Sequence, residues 1–540
     1  MNLRKIAVLG AGPGGLYAAR LLKISHPQAR VEVFEQSQAG STFGFGVGIA
    51  AGTQRNLNNA DPESLQAILD ASWVHEMSMK VGGRVVHLPQ DNLRSIARTT
   101  LLSTLADHAR NAGVIVHYGS RTSIDSLDAD VIVAADGINS VTREQLADQV
   151  EPSIDLGRSY YLWCGTDFVL PRAIFAPAHT EHGTFVAHAY PYAADRSTFL
   201  IETGEATWAA SGFDRTTEQT PPTETDENSL RYLEEVFADE LGGHRLIGNR
   251  TRWTRFRTVT CQKWSSANVV LLGDAVHTAH YSIGSGTKLA MEDAIALDTA
   301  LREHDSVEAA FAAYEATRRP AVEHLQEIAR RSASWWDAFP YRLDLPVESL
   351  LMSYMTRAGK ISVERFALSA PQLARDALSF YGHQDAGTVS DEHLGEWILS
   401  RAATVNGTDF DGRVVSRADF GDVTSVEVDL DEAWSPEGDA ILSRIGEAHS
   451  PQVVFWLHGS SQRSRLLTRL DFAERIRLTF GNPVVVEGSV HHLADLTAGL
   501  ASMRTTFVAI ADEDAQPEIS ATDRENLAAG LEERMAAAPH

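Results

Sequence analysis

Short apolar runs alternate with amphipathic stretches from the start of the chain. Residues 6–9 are Ile-Ala-Val-Leu, which predicts a buried strand, and an apolar periodicity typical of a helix follows over 16–22. A second apolar run at 31–34 completes a strand–helix–strand unit. Runs of the same kind recur at 131–134 and 269–272. This alternation predicts an α/β fold built on a parallel sheet.

The last third of the chain repeats this alternation with different residues. Helical periodicity, for example over 470–478, separates four runs rich in valine and other β-formers. Strands alternating with helices predict a second, C-terminal α/β domain. The four predicted strands are 423–430, 453–458, 484–487 and 507–510.

Composition narrows the class of protein. The 540 residues include 47 basic and 72 acidic side chains, a net charge of −25, so binding of nucleic acid is not expected. Two cysteines exclude a disulfide scaffold and a Cys-rich metal site, and we predict no metal. The sequence contains no run of 18 apolar residues, so it predicts no membrane-spanning helix. We expect a cytoplasmic protein.

Charge also marks a domain boundary. Residues 371–540 hold 28 acidic and 13 basic residues and no lysine, the last lysine being Lys360. We therefore predict a core over 1–370 and a separate domain over 371–540.

A glycine-rich turn between the first strand and the first helix carries the strongest local signal. Gly10, Gly12 and Gly15 form the pattern G-x-G-x-x-G, which suits a tight turn, a backbone approach to pyrophosphate and close helix packing. The helix N-terminus favours phosphate, and Glu35 ends the next strand, where it could bond a ribose hydroxyl. We predict a dinucleotide site that also includes Pro13 and Gly14.

Two later strands end in acidic turns. The strand at 131–134 leads to Asp136-Gly137, and the strand at 269–272 leads to Gly273-Asp274. Asp274 could hold a ribityl hydroxyl, and a helix that begins near Gly286 could direct its positive end at a flavin pyrimidine ring. Gly284 and Thr287 belong to the same predicted segment, and Asp136 is a further candidate residue for binding the cofactor.

Together these three segments resemble the fingerprints of the group A flavoprotein aromatic monooxygenases, which have the p-hydroxybenzoate hydroxylase fold. The resemblance covers about residues 1–370, and Arg98 matches the arginine that the family places against FAD. It implies a Rossmann-like FAD-binding domain interleaved with a β-sheet substrate domain, FAD as cofactor with Gln36 beside Glu35, NADH or NADPH as reductant, and O2 as co-substrate. The implied FAD-binding parts are about 1–70, 95–150 and 255–330, and the implied substrate sheet is about 71–94 and 155–254.

The stretches 42–49, 188–190 and 273–288 resemble one branch of this family more closely, the salicylyl-CoA 5-hydroxylases and 2-aminobenzoyl-CoA monooxygenases. His280, Tyr281 and Lys288 depart from the proline and asparagine of the wider family. The resemblance implies hydroxylation of an aromatic acyl-CoA, salicylyl-CoA at C5 to gentisyl-CoA through a C4a-hydroperoxyflavin. Alternatives are a 2-aminobenzoyl-CoA or indole or tryptophan-derivative monooxygenase, a flavin halogenase, and a non-enzymatic flavin-binding module.

Hydroxylation of this kind requires a base near a phenol. We take His280 and His188 as candidates, with Tyr281 as a hydrogen-bond partner, and expect His277 to be structural. Phosphates of CoA require a local cationic surface. The candidate residues for that surface are Arg252, Arg255 and Arg257.

The C-terminal domain carries no catalytic group that the sequence identifies. Part of it resembles the end of an old-yellow-enzyme-type barrel, but about 250 residues would be needed for a complete one. We predict a truncated, non-catalytic remnant that is structural or used in assembly, and a possible homodimer.

Overall fold

A computed structural model describes residues 1, 3–42, 44–381, 389–448 and 450–511. Contacts divide the chain into two units, Met1–Gly387 and Thr388–His540. Among the described residues, every helix is too short or too polar to span a bilayer. Each unit is α/β, as the sequence predicts.

The first unit contains fifteen described strands. They are β1 Lys5–Leu9, β2 Arg30–Glu35, β3 Gly46–Ile49, β4 Trp73–Val81, β5 Arg84–Ala97, β6 Ile115–Tyr118, β7 Val131–Ala134, β8 Pro152–Thr166, β9 Ala173–Thr180, β10 Gly183–Ala193, β11 Arg196–Thr203, β12 Leu246–Ile247, β13 Thr254–Cys261, β14 Ser265–Ser266 and β15 Val269–Leu271.

Fifteen α-helices accompany these strands in the described part of the first unit. They are α1 Pro13–Ser25, α2 Ala51–Ala60, α3 Pro62–Asp70, α4 Arg98–Ala112, α5 Val141–Gln145, α6 Ala147–Val150, α7 Glu205–Ala210, α8 Phe213–Gln219, α9 Glu227–Val236, α10 Ala238–Leu241, α11 Gly286–Glu303, α12 Val307–Asp337, α13 Val347–Thr356, α14 Val363–Ser369 and α15 Pro371–Leu378.

One sheet of the first unit has the order β14-β15-β7-β1-β2-β6, and its five longer strands run parallel. Its central strand β1 is buried from Ile6 to Leu9, which explains why it is a continuous apolar run. Helix α1 packs against β1 and β2 and lies between α4 and α11, with contacts to both. The three acidic or glycine-rich turns predicted from sequence follow β1, β7 and β15, so they meet at one edge of this sheet.

The second sheet has nine strands in the order β12-β8-β11-β10-β9-β4-β5-β3, with β13 also paired to β8. Because side chains alternate along its strands, this sheet has two different faces. One face packs Phe185, Phe199 and Ile201 into an apolar core beneath α8 and α9. The opposite face carries the polar side chains His188 and Glu202, which are groups that could take part in a reaction.

Three predicted boundaries differ from the structure. Strand β13 pairs with β8, so the substrate sheet extends past the predicted end at 254 to Cys261. Strand β3, assigned to the first cofactor segment, pairs with β5 in the same sheet. The first unit continues beyond 370, because α15 packs on α13 and the Ser349 hydroxyl donates to Ala377 O at 3.1 Å.

The second unit forms its own parallel sheet in the order β18-β19-β20-β21, with a separate hairpin of β16 and β17. All four strands predicted for this domain are present. Four parallel strands in consecutive order are half of what a (β/α)₈ barrel needs, and the remnant hypothesis stays a prediction. The described elements are β16 Ala403–Val405, β17 Thr408–Phe410, β18 Thr424–Glu427, β19 Phe455–His458, β20 Val484–Ser489, β21 Phe507–Ala511, α16 Leu394–Leu399, α17 Pro436–Ala448, α18 Arg463–Phe480 and α19 Leu493–Ala501.

Candidate active site

The glycine-rich turn has the geometry of a phosphate-binding loop. Gly10 has a φ of +97°, and a Cβ there would lie 2.3 Å from Ala135 O. A Cβ on Gly15 would lie 2.1 Å from the Gly10 carbonyl oxygen, and one on Gly14 would meet Leu272 at 2.6 Å. At Gly12, by contrast, a Cβ would meet nothing within 4 Å. Gly12 therefore leaves open the space in which a pyrophosphate approaches the backbone.

Helix α1 begins beside this space with its N-terminal groups free for an anion. Pro13 takes the first position, where a missing N–H costs nothing, and no side chain caps the helix at Gly12. Glu35 braces the loop, because its Oε2 accepts from Ala11 N at 2.8 Å and its Oε1 accepts from Ser37 N at 2.7 Å. The remaining lone pairs of this carboxylate suit a ribose, and Gln36 follows at the end of β2.

Asp136 holds its own turn together. Its carboxylate accepts from the Ser140 hydroxyl at 2.5 Å and from the backbone N–H of Thr142 at 3.0 Å. Arg143 then links this turn to the next motif, because it donates to Ala275 O at 2.9 Å and to Ile138 O at 2.7 Å. Direct contact between Asp136 and a cofactor stays a prediction.

Asp274 follows β15 at the sheet edge that also carries the glycine-rich turn, and α11 begins shortly after it. The Asp274 side chain is exposed, and no described residue gives it a hydrogen bond or ion pair. Gly284, with a φ of +60°, turns the chain into α11, which begins at Gly286 and Thr287. Ser285 precedes that helix without capping it, and its buried hydroxyl has no hydrogen-bond partner among the described residues. These unpaired groups fit the polar edge of a flavin.

Arg98 adds a third unpaired group to Asp274 and Ser285. Arg98 is the first residue of helix α4, and its Nε is buried without a hydrogen-bond partner among the described residues. Burial lowers the pKa of Arg98, and Asp274 and Tyr190 partly offset that effect. Lys288, which departs from the family pattern, pairs with Glu292 Oε2 at 3.1 Å.

The pairing of β8, β9, β10 and β11 places His188 and Glu202 on one face of the second sheet, and this face is called the wall below. His188 pairs with Phe175 on β9 and with Leu200 on β11, while Glu202 pairs with Tyr161 on β8. Residues that are directly paired share a face, and Glu202 is two positions from Leu200. His188 and Glu202 therefore project from one face together. Trp336 at the end of α12 covers the histidine, with ring centroids 4.3 Å apart.

Glu202 lies at the centre of this wall. His188 Nε2 is 3.3 Å from its Oε2, and the Tyr281 hydroxyl donates to the same oxygen at 2.6 Å. Burial opposes the charge, but the neighbouring His188, together with the Tyr281 hydroxyl, outweighs it and holds the pKa of Glu202 below its usual range. Burial and the neighbouring carboxylate raise the pKa of Tyr281 well above its usual range. The pair is thus a carboxylate and a neutral phenol.

His280 is the neutral member of the group. Burial lowers the pKa of His280 to about 4, although Glu202 acts in the opposite direction. Its Nδ1 accepts from Ser282 N at 3.3 Å, and its ring lies 4.0 Å from the Tyr281 ring. The structure thus brings together all three predicted catalytic residues and adds Glu202, which the sequence did not suggest.

His277 lies apart from this group. Its Nε2 is 2.8 Å from Asp293 Oδ2, and Asp293 Oδ1 accepts from Arg318 Nε at 2.8 Å. Asp293 also accepts from Gly273 N at 3.1 Å. This buried cluster fixes the turn that carries Asp274, so the contacts of His277 match the expected structural role.

Comparison with known proteins decides the family. A model described as FAD binding domain matches residues 86–329. A salicyloyl-CoA 5-hydroxylase from Streptomyces sp is 35% identical over 504 residues, which cover 90% of this chain and 96% of that protein. The chain belongs to the FAD-dependent aromatic monooxygenases. A further member, 3-hydroxy-4-methyl-anthranilyl-[aryl-carrier protein] 5-monooxygenase from Streptosporangium sibiricum, is 38% identical over 362 residues, covering 66% of this chain and 95% of its own.

Solved structures agree with this fold. The crystal structure of a 2-methyl-3-hydroxypyridine-5-carboxylic acid oxygenase mutant matches with a TM-score of 0.50 at 20% identity, covering 69% of this chain and 96% of that one. As a member of the family that its curated relatives show, the monooxygenase binds FAD and hydroxylates an aromatic ring. The unpaired Arg98 Nε, the Ser285 hydroxyl and the open space at Gly12 fit that cofactor.

The three candidate CoA-binding arginines lie along or just before β13 of the monooxygenase. None forms an ion pair with a carboxylate among the described residues, so their charges are not locally neutralised. They are held by polar groups: Arg252 Nη2 by Thr217 O at 2.6 Å, Arg255 Nε by Gly157 O at 2.6 Å, and Arg257 Nη2 by Asn139 Oδ1 at 2.9 Å.

Replacing Arg98 by Met tests the cofactor fit of the monooxygenase. A charge-assisted hydrogen bond contributes about 1.5–3 kcal/mol, so we expect FAD affinity to fall roughly 10- to 100-fold. The apoprotein should be no less stable, because the variant no longer buries an unpaired guanidinium. Fluorescence titration of apoprotein with FAD measures the first effect, and thermal unfolding of apoprotein measures the second. Unchanged FAD affinity would show that Arg98 does not contact the cofactor.

Proposed function

We propose that this monooxygenase hydroxylates an aromatic ring carried as an acyl-CoA thioester, with salicylyl-CoA converted at C5 to gentisyl-CoA. NADH or NADPH is the reductant, and O2 is the co-substrate. The observation that carries the proposal is the similarity to salicyloyl-CoA 5-hydroxylase, which spans 90% of the chain. The relative from Streptosporangium sibiricum, by its name, also acts on an aromatic acyl group attached to a carrier.

The charge of the wall favours a thioester over a free acid. Glu202 is an anion, and the groups that contact it are a histidine and a tyrosine rather than a lysine or arginine. A free benzoate would bring a second carboxylate toward this anion, at a cost in Coulomb energy. A thioester is neutral at the same position. Its phosphates, farther along the molecule, require cations, and we propose Arg252, Arg255 and Arg257 for that contact.

The residues of the wall would orient the ring and control its phenol proton. Phe175 and Trp336 supply apolar ring surfaces beside His188, and such surfaces exclude water. His188, Tyr281 and His280 lie where the phenol would be recognised, and His188 is the candidate base. Bound FAD supplies electron transfer from the nicotinamide and activation of O2.

Oxygen-dependent oxidation of NADH and of NADPH by the purified holoenzyme tests the proposal. Free salicylate, salicylyl-CoA and 2-aminobenzoyl-CoA are offered in parallel, and products are identified by mass. We expect salicylyl-CoA to gain one oxygen atom and free salicylate to remain unchanged. Oxidation of NADH or NADPH without a mass gain in the aromatic compound would indicate uncoupled turnover. Uncoupled turnover is detected by measuring the hydrogen peroxide that it releases.

Other outcomes assign the enzyme elsewhere. Hydroxylation of 2-aminobenzoyl-CoA alone would keep the thioester chemistry and change the ring. Hydroxylation of the free acid alone would exclude the thioester proposal. No contact among the described residues tests the predicted homodimer or the predicted cytoplasmic location, so both stay predictions.

A further inference from the structure

The two ring nitrogens of His188 have different surroundings. Nε2 is buried and lies 3.3 Å from Glu202 Oε2, an ion-pair distance at which the two atoms do not form a hydrogen bond in this structure. Nδ1 has no hydrogen-bond partner among the described residues. A neutral imidazole carries its proton on one nitrogen and a lone pair on the other, and the partner of one nitrogen decides which. An anion beside Nε2 favours a proton there.

Glu202 is able to hold that proton in place because its negative charge persists. It is buried in strand β11, and the Tyr281 hydroxyl donates to it at 2.6 Å. His280 is neutral and brings no positive charge to the pair, since burial lowers its pKa to about 4. His188 is the imidazole that lies at ion-pair distance from this carboxylate.

We propose that Glu202 is a positioning residue: it keeps the His188 proton on Nε2 and so leaves the Nδ1 lone pair for the substrate phenol. This inference rests on the proposed function and deepens it. The phenol O–H bond breaks, an N–H bond forms at Nδ1, and the electron pair stays on the phenolate oxygen. The resulting imidazolium forms an ion pair with Glu202, and the proton returns when the product phenol forms.

Every element packed against His188 contributes to this environment. Strand β9 presents Phe175 and helix α12 presents Trp336, and neither side chain titrates. The titratable and charged groups are Glu202 on β11, Tyr281 and His280 on the turn before α11, Tyr161 beside Tyr281, and Asp337, which acts on Tyr281.

The tautomer of His188 is measured directly in holoenzyme labelled with ¹⁵N-histidine. The His188 signals are assigned by their loss in His188→Gln. We expect Nε2 to carry the proton in the wild type and a shift toward Nδ1 protonation in Glu202→Gln, whose amide is able to donate to Nε2. A wild-type proton on Nδ1, or a tautomer that Glu202→Gln leaves unchanged, would overturn the proposal.

The pH profile of kcat adds a functional measure. Loss of an adjacent anion disfavours protonation of a neighbouring base, so Glu202→Gln should move the acid limb of this profile to lower pH. Its plateau should fall roughly 10²- to 10³-fold, as for loss of general base catalysis.

Tyr281→Phe is the matched control, with the opposite sign. It removes the hydroxyl that stabilises the carboxylate, so more of the Glu202 charge acts on His188 and the acid limb should move to higher pH. If Glu202 had a purely structural role, the two variants would change FAD content and thermal stability, but their acid limbs would not move in opposite directions. Limbs that stay in place or move the same way in both variants would contradict the inference.

Failure of the proposed function remains distinguishable from failure of this inference. A wild-type enzyme that leaves salicylyl-CoA unchanged overturns the function, while the substrate-free tautomer still tests Glu202. A wild-type enzyme that hydroxylates salicylyl-CoA, with a tautomer and pH profile that Glu202→Gln leaves unchanged, overturns the inference alone.

Discussion

Alanine at Gly10 is expected to leave the purified protein without its yellow flavin. The φ of +97° at this position is unfavourable for any residue with a Cβ, and a Cβ would also lie 2.3 Å from Ala135 O. Relief of the strain, about 1–3 kcal/mol before the clash is counted, must move the loop. The backbone that receives the pyrophosphate moves with it. The ratio of flavin to protein absorbance, together with FAD titration, measures the loss, expected to exceed tenfold in affinity.

Alanine at Gly12 is the matched control within the same turn. Gly12 has a φ of −72°, which alanine adopts freely, and its Cβ would meet nothing within 4 Å. The apoprotein of Gly12→Ala should therefore unfold at the wild-type temperature, whereas that of Gly10→Ala should unfold earlier. Both variants should bind FAD weakly, since the new methyl group occupies the approach to the pyrophosphate. Normal FAD binding by Gly12→Ala would place the pyrophosphate somewhere else.

Removal of the Asp293 carboxylate should give the largest loss of stability. Its side chain is 0% exposed and accepts from three groups, Gly273 N, His277 and Arg318. Asp293→Ala leaves the buried Arg318 guanidinium with only Glu292, 3.6 Å from its Nη2, as a counter-ion, which costs up to about 3–5 kcal/mol. The Gly273-Asp274 turn loses its anchor as well, so FAD affinity should also fall. Urea unfolding followed by circular dichroism measures the first effect.

An exposed ion pair supplies the comparison. Lys263 lies 3.3 Å from Glu151, with side chains 63% and 56% exposed, so Lys263→Ala should cost ~0–1 kcal/mol. The buried cluster also predicts a direction with pH. Burial raises the pKa of Asp293, but His277 and Arg318 outweigh it and hold this pKa below the usual carboxyl range. The stabilisation is complete above that range and is lost as pH falls through the folded pKa. Equal losses in both variants would contradict the assigned burial.

Local signals in the sequence were sufficient for the cofactor half of the site. Gly10, Gly12 and Gly15 act within a few residues of one another, so their spacing alone predicts the turn that the structure contains. The strand at 269–272 and the turn after it form a similarly local pattern. Parallel pairing then brings the turns after β1, β7 and β15 to one edge of the sheet.

The other half depends on contacts that sequence spacing does not encode. Glu202 ends an apolar strand, and only the pairing of β10 with β11 shows that it shares a face with His188. Tyr281 reaches the same carboxylate from 79 positions away. Charge composition predicted the domain boundary too early, because α15 is joined to the first unit by packing rather than by its charge.

The antiparallel pairing of β9, β10 and β11 limits how this chain can change length. Because side chains alternate between faces, inserting one residue inside β10 would exchange His188 with the apolar residue beside it. Insertions and deletions are therefore tolerable only where the strands reverse, at Glu181-His182 and Ala194-Asp195. Those two hairpin turns are accordingly the places to attach a spectroscopic label or an affinity tag, and the places where relatives of different length should differ.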